Sequence, residues 1–132
     1  MKYITKKELY NIFKHYKKTF KLKLDIDIYN DYGTCNYNPK TKYIEFSIDK
    51  VLSIKTDIQK RSKTILEKQL IIFSLLHELR HAIDCQLYEK RQNKELANLN
   101  LGLYNSDRKY HHSRPFEIRA DKFARQEIKK WI

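Results

Sequence analysis

Leu70-Ile71-Ile72-Phe73-Ser74-Leu75-Leu76-His77-Glu78-Leu79-Arg80-His81-Ala82-Ile83 is a strongly apolar stretch without Gly or Pro, and two histidines and an acid interrupt it at a fixed spacing. Extended in both directions, Ile65, Leu66, Leu70, Phe73, Leu76, Leu79, Ile83 and Leu87 keep three- and four-residue intervals, which predicts one central helix from Thr64 to about Glu89. The uncharged run from Leu70 to Leu76 is far shorter than the roughly 18–20 apolar residues of a membrane span. No membrane-crossing helix is therefore expected.

On the N-terminal side, Leu9, Ile12, Phe13, Tyr16 and Phe20 mark one face of a helix over 5–20, with Thr5 and Glu8 as a capping box. From Lys21 to Asn30 the pattern changes to alternation, Leu22, Leu24, Ile26 and Ile28 against Lys23, Asp25 and Asp27, which predicts a half-buried strand. A stretch rich in turn formers follows, containing Asn30, Asp31, Gly33, Asn36, Asn38 and Pro39. Alternation then returns with Ile44, Phe46 and Ile48, so a hairpin or small meander is expected. The strand Lys42 to Asp49 is expected at a sheet edge beside the cleft, where an extended peptide can pair with it. Residues 49–62, with Val51, Leu52, Ile54 and Ile58, fit a short helix or a loop crossing.

On the C-terminal side, residues 90–113 are polar and read as a long connection containing a short helix near Lys94 to Leu101. Pro115 suits a first helical turn, and Phe116, Ile118, Ala120, Phe123, Ala124 and Ile128 predict a closing helix. The 132 residues fit a single α+β domain spanning 1–132, with a small antiparallel or mixed sheet. No apolar run opens the chain, so a cytoplasmic protein is expected, and Cys35 and Cys85 are expected as free thiols. Net charge is +12, and eight lysines fall between Lys2 and Lys23, a basic surface able to attract nucleic acid or acidic proteins. Interleaved tyrosines such as Tyr37, Tyr43, Tyr104 and Tyr110 also suit stacking on single strands.

His77-Glu78-Leu79-Arg80-His81 is an H-E-x-x-H sequence, for which a chain with five His and eight Glu has a chance expectation of about 0.01 matches. On a helix the two imidazoles lie about 40° apart and one turn along, so both can reach one tetrahedral ion. Glu78 sits beside that face, where its carboxylate can hold a water at the metal and take its proton. A catalytic zinc site needs a third protein ligand. The metzincin pattern is excluded, because Asp84 and Leu87 stand where its Gly and His belong. Glu117 and Asp121 lie four apart on the closing helix, so Glu117 can ligate while Asp121 orients a ligand from behind. His111 and His112 can instead replace Glu117, and together with Tyr110 they are candidate stabilisers of the transition state. Asp84, one turn beyond His81, is a further candidate for bracing a ligand, and Cys85 is read as helix packing.

An H-E-x-x-H helix followed by E-x-x-x-D on the next helix resembles the gluzincin zinc peptidases. The compact order of helix, small sheet, motif helix and ligand helix is similar to minigluzincins and to ImmA/IrrE-like peptidases. The resemblance covers most of the chain. It implies a zincin-like domain that hydrolyses peptide or protein substrates, with His77, His81 and Glu117 on Zn2+, Glu78 as general base and Asp121 behind a ligating His. The larger gluzincins carry a transition-state-stabilising His in a separate C-terminal domain that this chain lacks. The alternative expectation, drawn from charge, is a basic nucleic-acid-binding or regulatory module whose zinc site is structural or vestigial.

Overall fold

The computed structural model describes residues 4–54 and 67–132. Thr5 starts helix α1 (Lys6–Thr19) with the expected capping box. Its hydroxyl accepts from Glu8 N–H at 3.1 Å, and the Glu8 carboxylate accepts from Thr5 N–H at 3.3 Å. Leu9, Ile12, Phe13 and Tyr16 are the buried face. Lys21, at φ 53°, closes the helix in the left-handed region, with Leu22 N–H reaching Lys17 C=O at 2.9 Å.

Three strands follow, β1 (Asp25–Tyr29), β2 (Cys35–Asn38) and β3 (Tyr43–Ser47), in spatial order β1-β3-β2. β1 pairs parallel to β3, with Ile26 opposite Ile44, and β2 pairs antiparallel to it, with Tyr37 opposite Ile44. The sheet is therefore mixed and not a meander. β3 is its central strand, which corrects the expectation that Lys42 to Asp49 forms an edge. That edge is β2, a strand hidden in the turn-rich stretch because its alternation rests on only Cys35 and Tyr37. The first strand is also shorter than 21–30. At Lys23 the Gln86 side chain takes both backbone groups, N–H at 2.9 Å and C=O at 2.8 Å, so the ladder begins only at Asp25.

Ser47 caps the short helix α2 (Ile48–Ser53). Residues 55–62, like Thr64 to Leu66 of the predicted central helix, lie outside the described residues. Helix α3 (Glu67–Leu87) buries Leu70, Ile71, Ile72, Phe73, Leu75, Leu76, Leu79, Ala82 and Ile83, and it packs against α1, α2, β2 and the closing helix. Residues 90–113 are more helical than expected, with α4 (Glu89–Ala97), α5 (Leu101–Ser106) and α6 (Arg108–His112). Asn100 and Asp107 start the last two by accepting from Leu103 N–H and Tyr110 N–H. Neither helix buries a residue, so apolar periodicity carries no trace of them. Helix α7 (Pro115–Glu127) opens on Pro115 as predicted. Tyr16 fastens the chain ends together, donating to Glu127 and accepting from Trp131 Nε1–H, both at 2.9 Å. Among the described residues no helix is long and apolar enough to cross a membrane, and both cysteines are free.

Candidate metal centre

His77 and His81 project from the same side of α3, their Nε2 atoms 3.0 Å apart. α7 crosses them and brings in Glu117, whose Oε1 lies 2.9 Å from His77 Nε2 and 2.8 Å from His81 Nε2. Phe116, Ala120, Phe123 and Ala124 are buried alongside and set the helix at that depth. Asp121, one turn after Glu117, meets His77 Nδ1 at 2.8 Å. A neutral His77 that donates its Nδ1 proton to Asp121 turns a bare Nε2 lone pair towards Glu117 and His81. Two imidazole nitrogens and a carboxylate oxygen then face one another within 3.0 Å, which is stable only with a cation or extra protons among them.

Without a metal, the same demand for positive charge falls on His77. Burial opposes its protonation, but Asp121, Glu117 and Glu78 outweigh burial and raise its pKa to about 10. Burial would likewise raise Glu117, yet hydrogen bonds from His111, His77 and His81 hold it well below the usual carboxylate range. His77, Glu78 and His81 form a group able to hold a metal ion, their donor atoms within 4.8 Å of one another. The Glu117 oxygen lies within 2.9 Å of both histidines, and imidazole and carboxylate are common ligands of divalent metal ions.

Glu78 faces the same point from the side, Oε2 at 4.0 Å from His77 Nε2. Its Oε1 accepts the Tyr37 N–H of edge strand β2 at 3.1 Å, so sheet and helix jointly aim this carboxylate. Burial pushes its pKa up, against the pull of His81, His77 and the Tyr37 amide. A carboxylate so raised is a stronger base than one in water. Beside it opens a cavity of about 390 Å³, lined at this end by His77, Glu78, Tyr104, His111 and His112.

The second oxygen of Glu117 is held by two groups. Tyr104 O–H donates to Oε2, and His111 Nε2 lies 2.8 Å from the same atom. The two rings stack at 4.1 Å, and His111 Nδ1 lies 3.2 Å from Tyr104 C=O. His111 thus enters the site as a partner of Glu117, and His112 lines the cavity. Tyr110 is placed elsewhere. Its hydroxyl accepts from Asn100 N–H at 2.9 Å, and its ring lies 3.8 Å from the Arg114 guanidinium. Asp84 meets arginines and no histidine. Tyr104 was missed as a site residue because no spacing rule links it to Glu117; the density of aromatic and His residues over 104–112 is its only trace.

No known family model, curated protein or solved structure matches this chain.

Proposed function

We propose that this chain is a gluzincin-like, zincin-fold zinc metallopeptidase that acts in the cytoplasm on peptide or protein substrates. The observation that carries the proposal is the meeting of His77 Nε2, His81 Nε2 and Glu117 Oε1 within 3.0 Å of one another, with His77 on the wall of a cavity. His77, His81 and Glu117 would hold the ion, and Asp121 would fix the His77 tautomer. A bound zinc ion supplies Lewis acidity, polarising a carbonyl and acidifying water. Glu78 takes the proton of the attacking water and passes it to the leaving amine, while the Tyr37 N–H keeps its carboxylate aimed at the cleft. Tyr104 and His111 hold the outer oxygen of Glu117, which leaves Oε1 directed at the histidine pair. With their donor groups engaged there, Tyr104 and His111 act as positioning residues for the ligand.

A structural zinc site closes its coordination with protein groups, whereas this cluster borders open space, which favours catalysis over the nucleic-acid-binding alternative. That alternative rests on exposed lysines along α1, including Lys6, Lys7, Lys14 and Lys18. The test is metal analysis combined with cleavage of a peptide library. Purified protein should carry about one zinc per chain and cut peptides, with chelator abolishing and zinc restoring the activity. Full zinc loading with no cleavage, together with steeply salt-dependent DNA binding, would transfer the assignment to the alternative.

A further inference from the structure

The cavity at Glu78 is lined as well by the apolar Val51, Ile54 and Phe73 and by the cationic Lys50 and Arg108. Besides Glu78 the lining holds the acid Asp107, whose carboxylate is engaged at the start of α6 with Tyr110 N–H at 3.0 Å. Lys50 is partly buried on α2. Its Nζ lies 3.3 Å from the Tyr32 hydroxyl and 5.4 Å from that ring, and among the described residues no carboxylate forms an ion pair with it. Cys35 lines the same cavity. Burial dominates its thiol, which Glu78 pushes further up and Lys50 pulls down, leaving it at about 12. A cation held by a neutral tyrosine, sharing one cavity lining with Val51, Phe73 and the proposed base, is suited to a carboxylate on an otherwise apolar ligand. The net charge of +12 draws acidic chains to the same molecule.

We propose that the cleft selects acidic peptides, with a peptide carboxylate seated against Lys50 while the neighbouring carbonyl faces Glu78 and the histidine pair. The carboxylate comes from an Asp or Glu side chain flanking the scissile bond or from the peptide's own C-terminus. This rests on the metallopeptidase reading and adds the substrate class to it.

The experiment uses the full zinc-loaded chain with matched peptides carrying Glu, Gln or Lys at each position around the cut, each with a free or an amidated C-terminus. Glu over Gln should raise kcat/KM about tenfold, and the gain should shrink as salt rises. An effect confined to free C-termini assigns the terminal carboxylate as the group bound; one that survives amidation assigns the side chain. Lys50→Gln should erase the Glu-to-Gln ratio and Lys50→Glu should invert it towards Lys peptides. Equal rates for Glu and Gln peptides, or a ratio unchanged in both variants, overturn the selection and leave the peptidase reading standing. Failure of wild type to cut any peptide overturns that reading, and then binding of the same peptides to Glu78→Gln, followed by fluorescence anisotropy, decides the selection by itself. Tighter binding of a single-stranded oligonucleotide than of the Glu peptides, lost in Lys50→Glu, assigns the cation to phosphate and overturns the proposal.

Discussion

Two buried carboxylates sit between the same two helices, α3 and α7, and they meet opposite kinds of partner. Asp84 has no exposed side-chain surface and is surrounded by Arg80 at 2.9 Å, Arg119 at 3.2 Å and Arg91 at 3.5 Å, with Arg119 also paired to Glu95 of α4 at 2.6 Å. Glu117 is almost as deeply buried but meets His77, His81 and His111. Arginine keeps its charge at any accessible pH and donates in a fixed fork, so the Asp84 cluster is a permanent lock among α3, α4 and α7. Histidine can give up its proton and offer a lone pair, so the Glu117 cluster can exchange protons for a metal ion. Partner chemistry, and not burial, separates a structural ion cluster from a candidate metal centre.

Substitutions on the two sides of that contrast should act on different observables. The largest effect is expected from Glu78→Gln, which should lower peptide cleavage at least about a thousandfold while zinc content stays near one per chain. His77→Ala should bring bound zinc close to zero by mass spectrometry; full retention would break the proposed distinction between the clusters. Asp84→Asn should do the reverse, costing about 3 kcal/mol in urea unfolding by leaving arginines unmatched, with zinc affinity nearly unchanged. Tyr104→Phe should weaken zinc about tenfold or more in competition with a chelator, because the outer oxygen of Glu117 loses a donor. The smallest effect concerns acid. Arg119 holds Glu95 below its ordinary value near 4.5, so that pair contributes fully above that value and is lost as pH falls through the lowered one. Glu95→Gln should flatten the acid side of the stability profile without changing zinc content.

Local patterns were readable because local physics generates them. The capping box at Thr5 and Glu8, the helix opened by Pro115 and the one-turn spacing of His77 and His81 depend only on residues within a turn of one another. β2 and the helices α5 and α6 escaped, since short polar elements bury too little to leave a periodic signal. The sequence suggests Asp121 behind one of the two histidines without saying which, and the contact in the structure is with His77 Nδ1, at 2.8 Å.

The order of residues by itself determined a helix that presents two imidazoles and an adjacent acid on neighbouring faces, because 3.6 residues per turn leaves no other arrangement. Tertiary packing alone decided that Glu117, forty positions beyond His77, meets that pair, and that Tyr104 and His111 hold its other oxygen. It also decided that β2, and not β3, lends its amide to Glu78. Such contacts arise from how apolar faces of distant segments fit together, and no spacing within one segment encodes that fit.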